Sequence, residues 1–328
     1  MTPRRALLAL PALLPAAGAR AQGAQPGGGW LPSRTVRIIV PFTAGGATDV
    51  SARIMAERMG ALLGQSFVVE NRPGAGGNVG ADAVAKADPD GHTLLMCTIG
   101  TASINQFLYP RLPFDPQRDL ASVALVNQVA NGVIVNPAVR ANSFQELLAL
   151  ARREPGRLNY ATPGNGTSGH MSGEYLKFRT GVDIGHVPYR GTGALIPDLL
   201  AGRVDIAVDN LPAYLPHIRE GRLRILSVTS AERWFALPDV PTVREGGVSG
   251  FEAVAWFGLQ APARTPPNIM ERLTQTALAV IAEPGVQARF RELGAAPAPL
   301  DAAAFDRFIA AENAKWREVV RVANVRLD

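Results

Sequence analysis

Two glycine-rich turns contain the residues of this sequence that are best suited to binding a ligand. The first covers residues 42–49 and follows the apolar residues 36–40, and the second covers residues 163–170 and follows a strand pattern at 158–162. A strand, a glycine-rich turn and a helix start leave backbone N–H groups unpaired and direct the positive end of a helix dipole at the turn. Such a junction favours a carboxylate or a phosphate. The sequence therefore predicts an anion held between the two turns.

The second turn also satisfies the dinucleotide fingerprint G-x-G-x-x-G, with Gly164, Gly166 and Gly169 at the glycine positions. A dinucleotide site needs, in addition, an acidic residue at the end of the next strand. Residues 188–190 stand at that end and are Pro-Tyr-Arg, whereas Asp183 stands at the beginning of the strand. We therefore expect no nicotinamide nucleotide and no other cofactor.

Ser168 and His170 could suggest a hydrolase, but the segment 166–170 lacks the last glycine of the G-x-S-x-G motif. Residues two apart at a helix start do not face each other. The 4 histidines include no H-E-x-x-H pair for zinc, although His186 or His217 could approach Ser168 in space. The sequence predicts neither catalysis nor a metal site.

Several polar residues near the turns each have two interpretations. Asp49 either caps the helix that begins there or accepts a ligand ammonium group or a water molecule. Asp209 lies where the ligands of parallel sheets gather, but such residues also simply end strands. Tyr189 either lines the cleft or packs beneath its turn. Arg53 and Arg72 are the nearest candidates for a cationic contact, and Arg53, one turn into the helix, fits a surface charge better.

Alternating strand and helix patterns surround both turns and predict an α/β fold. The pattern βαβαβ over residues 36–98 is typical of a parallel sheet, and Thr101 follows its third strand at the edge where ligands bind. A second α/β unit begins at Ser143. The long apolar run at 122–136 and the strand at 223–229 predict two crossings between the units. Two lobes joined by two crossings form a hinged clamp.

The first 21 residues have the pattern of an export signal, with a pair of arginines, an uncharged stretch and an A-x-A cleavage pattern. The following residues are rich in glycine and proline, which is typical of a flexible connection. We predict a signal peptide at 1–21, a flexible tether at 22–34, domain 1 at 35–126 plus 229–328, and domain 2 at 127–228.

Basic and acidic residues nearly balance in the predicted exported form. The full sequence has 33 Lys and Arg against 28 Asp and Glu, and cleavage after residue 21 would remove Arg4, Arg5 and Arg20 but no acid. No run of Lys or Arg follows, which argues against a nucleic-acid surface. No later stretch approaches the roughly 18 apolar residues of a membrane span. We expect a soluble periplasmic body that binds no nucleic acid.

Six motifs follow one another along the chain: VRIIVPFTAGGATD at 36–49, VENRPGAGGN at 69–78, DPDGHTLL at 88–95, GNGTSGH at 164–170, VPYRG at 187–191 and LPDVPT at 237–242. Together they resemble the Bug/TctC family, the extracytoplasmic solute-binding proteins of tripartite tricarboxylate transporters. The similarity spans essentially the whole predicted mature chain.

This resemblance implies a two-lobed, type II-like periplasmic binding protein with a Venus-flytrap fold and no catalysis. It also implies a carboxylated ligand, held by the loops at 42–49 and 163–170, often through bridging waters, and delivered to a membrane permease. A periplasmic sensing module that signals to a membrane kinase is the alternative for the same site. Thr43, Pro163, Gly164 and Thr167 depart from the commoner family residues, so the identity of the ligand stays open.

The predicted ligand-binding residues come from the two turns and from neighbouring strand ends. They are Phe42, Thr43, Ala44, Gly45, Gly46, Thr48, Asp49, Thr101, Gly164, Asn165, Gly166, Thr167, Ser168, His170, Tyr189 and Asp209. The predicted partners are a small organic carboxylate and a permease of the tripartite tricarboxylate transporter type, and we expect a monomer.

Overall fold

The computed structural model describes residues 29–325 and 327. The predicted signal peptide at 1–21 and the first part of the predicted tether lie outside these residues. The strands are β1 (Val36–Val40), β2 (Phe67–Asn71), β3 (Thr93–Thr98), β4 (Leu120–Val135), β5 (Asn159–Thr162), β6 (Gly185–Pro188), β7 (Ile206–Asn210), β8 (Arg224–Val228), β9 (Val254–Pro262) and β10 (Ala296–Asp301). The helices are α1 (Ala47–Leu63), α2 (Asn78–Ala85), α3 (Asn105–Leu108), α4 (Phe144–Arg153), α5 (Ser168–Thr180), α6 (Thr192–Leu200), α7 (Leu215–Arg219), α8 (Pro267–Ala282), α9 (Pro284–Glu292) and α10 (Ala302–Val322).

Strand β4 connects two sheets. Its first part pairs antiparallel with β9, from Leu120 to Ala130, and with β10. Its last part, from Asn131 to Val135, pairs antiparallel with β7 and β8. Because each part has two neighbouring strands, 16 consecutive residues remain extended. The crossing that the sequence predicts at 122–136 is therefore one long strand.

The chain returns between the sheets just after β8. The backbone N–H of Thr229 donates to the carbonyl of Asn131 at 3.0 Å, and the N–H of Ala253 donates to the carbonyl of Thr229 at 2.9 Å. Strand β9 then begins at Val254. The second crossing thus lies beside the first, at the place where β4 changes sheets.

The strand order is β2-β1-β3-β9-β4-β7-β5-β6, with β8 and β10 also paired to β4. Strands β1, β2 and β3 are parallel to one another, and so are β5, β6 and β7. We call the part built on β1, β2, β3, β9 and β10 lobe 1 and the part built on β5, β6, β7 and β8 lobe 2. The predicted two-lobed α/β fold is confirmed.

Helices cover the sheet of each lobe and bury apolar side chains against it. In lobe 1, α1 and α8 form one layer, with Met59 and Leu273 fully buried, and α10 buries Trp316 in another. In lobe 2, Leu199 of α6 and Phe144 of α4 belong to two separate clusters. Each such side chain contributes about 1.5–3 kcal/mol to folding. The cores hold the strand ends in place and so position the turns between the lobes.

Two local features differ from the sequence-based expectations. The sequence did not predict strand β10, because its residues, APAPLD, include two prolines. This strand pairs with β4 through an irregular register. Residues 30–34 do not behave as a tether: Trp30 packs edge-on against His92 at 5.7 Å, and the Ser33 N–H donates to His92 Nε2 at 3.1 Å. The indole has apolar surface to bury, so it fixes this segment on lobe 1.

Candidate functional site

A narrow cavity of about 30 Å³ lies between the lobes. Four parallel strands, β1, β3, β5 and β7, end at or next to it, as expected for an α/β sheet. The two predicted turns meet there. The lining residues are Phe42, Thr43, Gly46, Ala47, Thr48, Asp49, Thr98, Ile99, Pro163, Thr167, Ser168, Thr192, Asn210, Ala255 and Phe257.

Three helices begin at this cavity. The first residues of α1, α5 and α6, which are Ala47, Ser168 and Thr192, all line it. The first turn of a helix has backbone N–H groups without intrahelical partners, and its dipole places partial positive charge there. Three such ends around one small volume create a site for negative charge. The third helix, α6, lies outside the set of site residues predicted from sequence.

Asp49 stabilises the first turn. Its carboxylate accepts hydrogen bonds from the Gly45 N–H at 3.0 Å, from Arg53 Nε at 2.9 Å and from Asn71 Nδ2 at 3.0 Å. Burial disfavours the charge, but these hydrogen bonds and the Arg53 charge outweigh it and lower the pKa of Asp49 below its ordinary value. Of the two interpretations of Asp49, the helix cap is wrong, because Gly46 occupies the cap position and Asp49 lies within the first turn.

The two cations that the sequence suggests near the first turn are both engaged by acids. Arg53 forms an ion pair with Asp49, and Arg72 donates to Glu70 at 2.6 Å. Among the described residues that line the cavity, none is Lys or Arg, and Asp49 is already neutralised. Backbone N–H groups and hydroxyls are therefore the groups available to bind an anion here.

The hydroxyls of the second turn have already committed their protons. Ser168 Oγ donates to Asn131 Oδ1 at 3.1 Å, and Thr167 Oγ1 donates to the Gly164 carbonyl at 2.7 Å. Across the cavity, Thr43 Oγ1 is buried and has no hydrogen-bond partner among residues 29–325 and 327. The two walls of the cavity therefore differ, because lobe 1 offers a free hydroxyl donor and lobe 2 offers hydroxyl oxygens as acceptors.

Nine of the predicted site residues do not line the cavity. Thr101 Oγ1 accepts from the Thr98 N–H at 3.0 Å, and Tyr189 donates its hydroxyl to Asp198 at 2.7 Å. His170 Nδ1 accepts from the Gly166 N–H at 3.1 Å. These contacts place the residues behind the lining, where they hold the turns. The full set is Ala44, Gly45, Thr101, Gly164, Asn165, Gly166, His170, Tyr189 and Asp209.

Asp209 is buried behind Thr192. Its carboxylate accepts from the hydroxyls of Thr192 and Tyr214, both at 2.8 Å, and from the Asn210 N–H at 2.6 Å. Burial raises the pKa of Asp209 to about 6, although the hydrogen bonds favour the charged form. At pH 7 the carboxylate is therefore the main form.

Two faces of the cavity come from residues that sequence reasoning did not select. Ala255 and Phe257 belong to β9, and alternate residues of a strand share a face, but nothing local shows that this strand lies beside the cavity. Thr192 follows Gly191 directly after a strand and a turn, which repeats the arrangement of the two selected turns. That repetition is the signal that could have identified it.

His170 and His186 form a stacked pair behind the second turn, with ring centroids 4.3 Å apart. Burial lowers the pKa of His170 to about 4 and that of His186 to about 3. Below about pH 6.5, the ordinary histidine pKa, the unfolded chain binds protons on these two residues while the folded protein does not. Proton binding therefore stabilises the unfolded state. Stability conferred by this pair is therefore complete above pH 6.5 and falls as the pH drops towards 4.

We expect the free energy of unfolding to fall by about 1.4 kcal/mol per pH unit between pH 6 and 4.5. Each neutral histidine contributes that slope, and Asp209, whose pKa is raised to about 6, offsets one of the two. Urea unfolding at several pH values measures this dependence. The His186→Gln variant should be nearly flat over this range, and Asp209→Asn should be steeper. An unchanged slope in both variants would contradict the assignment.

Within the described part of the chain, no group of three or more His, Cys, Asp or Glu residues could hold a metal ion. In the same residues, no helix is long and apolar enough to cross a membrane.

The sequence matches the family described as tripartite tricarboxylate transporter family receptor over residues 51–325. The protein BugT of Bordetella pertussis is 37% identical over 297 residues, which cover 90% of this chain and 91% of BugT. Similarity therefore extends over both lobes and includes the turns at the cavity.

Two solved structures share the fold. Rpa4515 from R. palustris, solved with adipate, is 38% identical, has a TM-score of 0.88 and aligns over 90% of this chain and 99% of its own. MatC from Rhodopseudomonas palustris, solved with bound malate, is 33% identical, has a TM-score of 0.84 and aligns over 88% of this chain and 100% of its own. Both of these similar proteins hold small dicarboxylates.

Proposed function

This chain belongs to the Bug/TctC family of tripartite tricarboxylate transporter receptors, and we propose that it captures a small mono- or dicarboxylate between its two lobes. One observation carries the proposal: the starts of α1, α5 and α6 meet at one cavity that no Lys or Arg among the described residues lines. Backbone N–H groups at helix starts bind carboxylates and phosphates, and the adipate and malate held by the two similar proteins favour a carboxylate here.

The available contacts are strong enough for such a function. Hydrogen bonds to a charged group contribute about 1.5–3 kcal/mol each, and a helix start adds up to about 2 kcal/mol. Micromolar binding requires about −8 kcal/mol after ordering costs. A few N–H groups from α1 and α5, with the Thr43 hydroxyl, suffice.

Binding would close the protein around its ligand. The lobes touch at the cavity, where the Thr43 N–H donates to the Arg190 carbonyl at 3.3 Å. A carboxylate that contacts both turns binds only the closed form well, and so shifts the equilibrium towards it. We propose that residues 35–126 with 229–328 move as one unit against 127–228, about the crossings at β4 and Thr229.

The same proposal includes the setting of the protein. Export by the signal at 1–21 would place it in the periplasm as a monomer, where the closed form delivers the carboxylate to a tripartite tricarboxylate-type permease. The receptors of this family serve such transporters. Receptor and permease would therefore form one uptake system, and the receptor would catalyse no reaction.

Isothermal calorimetry with mono- and dicarboxylates from acetate to adipate tests the proposal. We expect at least one member to bind with a Kd at or below the micromolar range, and neutral amides of the same acids to give no heat. A complete lack of binding across the acids would contradict the proposal, and so would equal binding of acids and amides.

A matched pair of glycine variants tests whether the first turn holds the anion. Gly45 and Gly247 both have positive φ, +87° and +102°, and open space around the position of a side chain. Valine strains the backbone at either position by a similar amount. Gly45→Val should weaken the binding found above by 10-fold or more, whereas Gly247→Val, away from the cavity lining, should bind normally. Equal affinities in the two variants would remove the first turn from the site.

A further inference from the structure

Thr192 presents an acceptor to the cavity. A hydroxyl has one proton, and Thr192 donates its proton to Asp209 Oδ2 at 2.8 Å. Asp209 donates no proton at pH 7, because it is mainly the charged carboxylate there and accepts from Thr192, Tyr214 and the N–H of Asn210. Thr192 lines the cavity, and its oxygen therefore has only lone pairs left to offer to a ligand.

Two neighbours of Thr192 on the wall of lobe 2 also have oxygen atoms left as hydrogen-bond acceptors. Asn210 Nδ2 donates to Asn131 Oδ1 at 2.6 Å and to Ser168 Oγ at 3.2 Å, so its own Oδ1 remains as an acceptor. Ser168 donates to Asn131 and is an acceptor as well. Three oxygen acceptors thus lie on one wall, fixed by side chains buried behind them.

A carboxylate alone does not satisfy this wall, because its oxygens are acceptors too. The backbone N–H groups of the helix starts bind the charge, but the remaining lone pairs of Thr192 and Asn210 can bind only a donor. Thr192 also lies against Gly46, where a Cβ atom would be 3.3 Å from Thr192 Oγ1, so the acceptor reaches the start of α1. A hydroxyl next to the carboxylate of the ligand would meet it.

We propose that Thr192 selects carboxylates that carry a hydroxyl group near the carboxylate, and that Asp209 is the positioning residue that fixes Thr192 as the acceptor. This specificity rests on the proposed carboxylate-binding function and refines it. The preferred ligand is a hydroxy acid, and its unsubstituted counterpart binds more weakly.

Calorimetry with pairs of acids that differ by one hydroxyl tests this specificity: malate with succinate, 2-hydroxyglutarate with glutarate, and lactate with propionate. For the pair that binds best, the hydroxy acid should bind at least 10-fold more tightly to the unmodified protein. Equal affinities within a pair would overturn the inference and leave the proposed function standing. Absence of binding for all six acids would count against both.

Substitutions assign the preference to Thr192. Valine has the shape of threonine without the hydroxyl, so Thr192→Val should lower affinity for the hydroxy acid by 10-fold or more and leave the unsubstituted acid within threefold. Thr192→Ser, which keeps a hydroxyl, should keep the preference for the hydroxy acid. A variant that weakens both acids equally would indicate a structural role only and would overturn the assignment.

Asp209→Asn and Tyr214→Phe separate positioning from packing. Asp209→Asn supplies an amide that can donate to Thr192 and free its proton, so the affinity ratio within the pair should fall towards 1. Tyr214→Phe removes the other hydroxyl on the same carboxylate oxygen but keeps the contact between Thr192 and Asp209, so the ratio should stay at its original value. A ratio preserved in Asp209→Asn would remove Asp209 from the selection.

Discussion

Replacing Gly193 by alanine should weaken carboxylate binding by about 100-fold, which corresponds to about 2.7 kcal/mol. Gly193 lies in the first turn of α6, and a Cβ atom there would overlap the carbonyl oxygen of Ala44 in the opposite lobe. A methyl group at this position therefore holds the lobes apart. Alanine is itself favourable within a helix, so each lobe should fold normally.

Calorimetry and small-angle X-ray scattering measure this effect together. With saturating ligand, the Gly193→Ala variant should keep the larger radius of gyration of an open form. Gly285 is the matched control, because it is also the second residue of its helix, α9, and has nothing within 4 Å of the added methyl. Gly285→Ala should bind and close normally. Wild-type affinity in Gly193→Ala would show that this contact does not limit closure.

Replacing Asn131 by leucine should lower the free energy of unfolding by about 3 kcal/mol. Asn131 is 0% exposed, in β4 at the point where the strand changes sheets. Its side chain accepts from Ser168 and Asn210 and donates to Ser172 at 3.3 Å. Leucine removes all three bonds and leaves the buried Ser168 hydroxyl without its acceptor. The second turn should then loosen and bind its ligand more weakly.

Asn127→Leu provides the comparison within the same strand. Asn127 is also 0% exposed, but it makes a single side-chain bond, to Ser51 at 2.9 Å, and its Oδ1 has no partner among the described residues. The same substitution removes one bond and also an unsatisfied oxygen, so we expect a cost of about 1 kcal/mol or less. Urea unfolding followed by circular dichroism measures both. A larger loss at Asn127 than at Asn131 would contradict the role of the network behind Ser168.

Local signals predicted much of the fold. The apolar runs, the glycine-rich turns and the helical spacing between them gave the alternation of strands and helices, and an extended run of unusual length gave the crossing in β4. Each of these depends on neighbours in sequence. Strand β10 was missed because its prolines are unfavourable in a strand, and only the long-range pairing with β4 makes it one.

The site was predicted in part for the same reason. Phe42, Thr43 and Ser168 lie in turns whose local pattern predicts an anion site, and these three residues line the cavity. Phe257 lines the cavity only because β9 inserts between β3 and β4. No local sequence pattern predicts that position of β9 in the sheet. The cap interpretation of Asp49 is wrong because the helix begins at Ala47, which places Asp49 in the first turn, where its carboxylate binds Arg53 and Asn71.

Main-chain atoms of the two lobes come into close contact. A Cβ atom at Gly76 would overlap the carbonyl oxygen of Asn165, and one at Gly100 would lie 2.7 Å from the carbonyl oxygen of Gly166. At these two places the contact of the closed form is therefore made with backbone, which stays the same when a side chain of the cavity changes. During evolution, side chains that line the cavity can therefore be exchanged to suit a new ligand while these backbone contacts are kept.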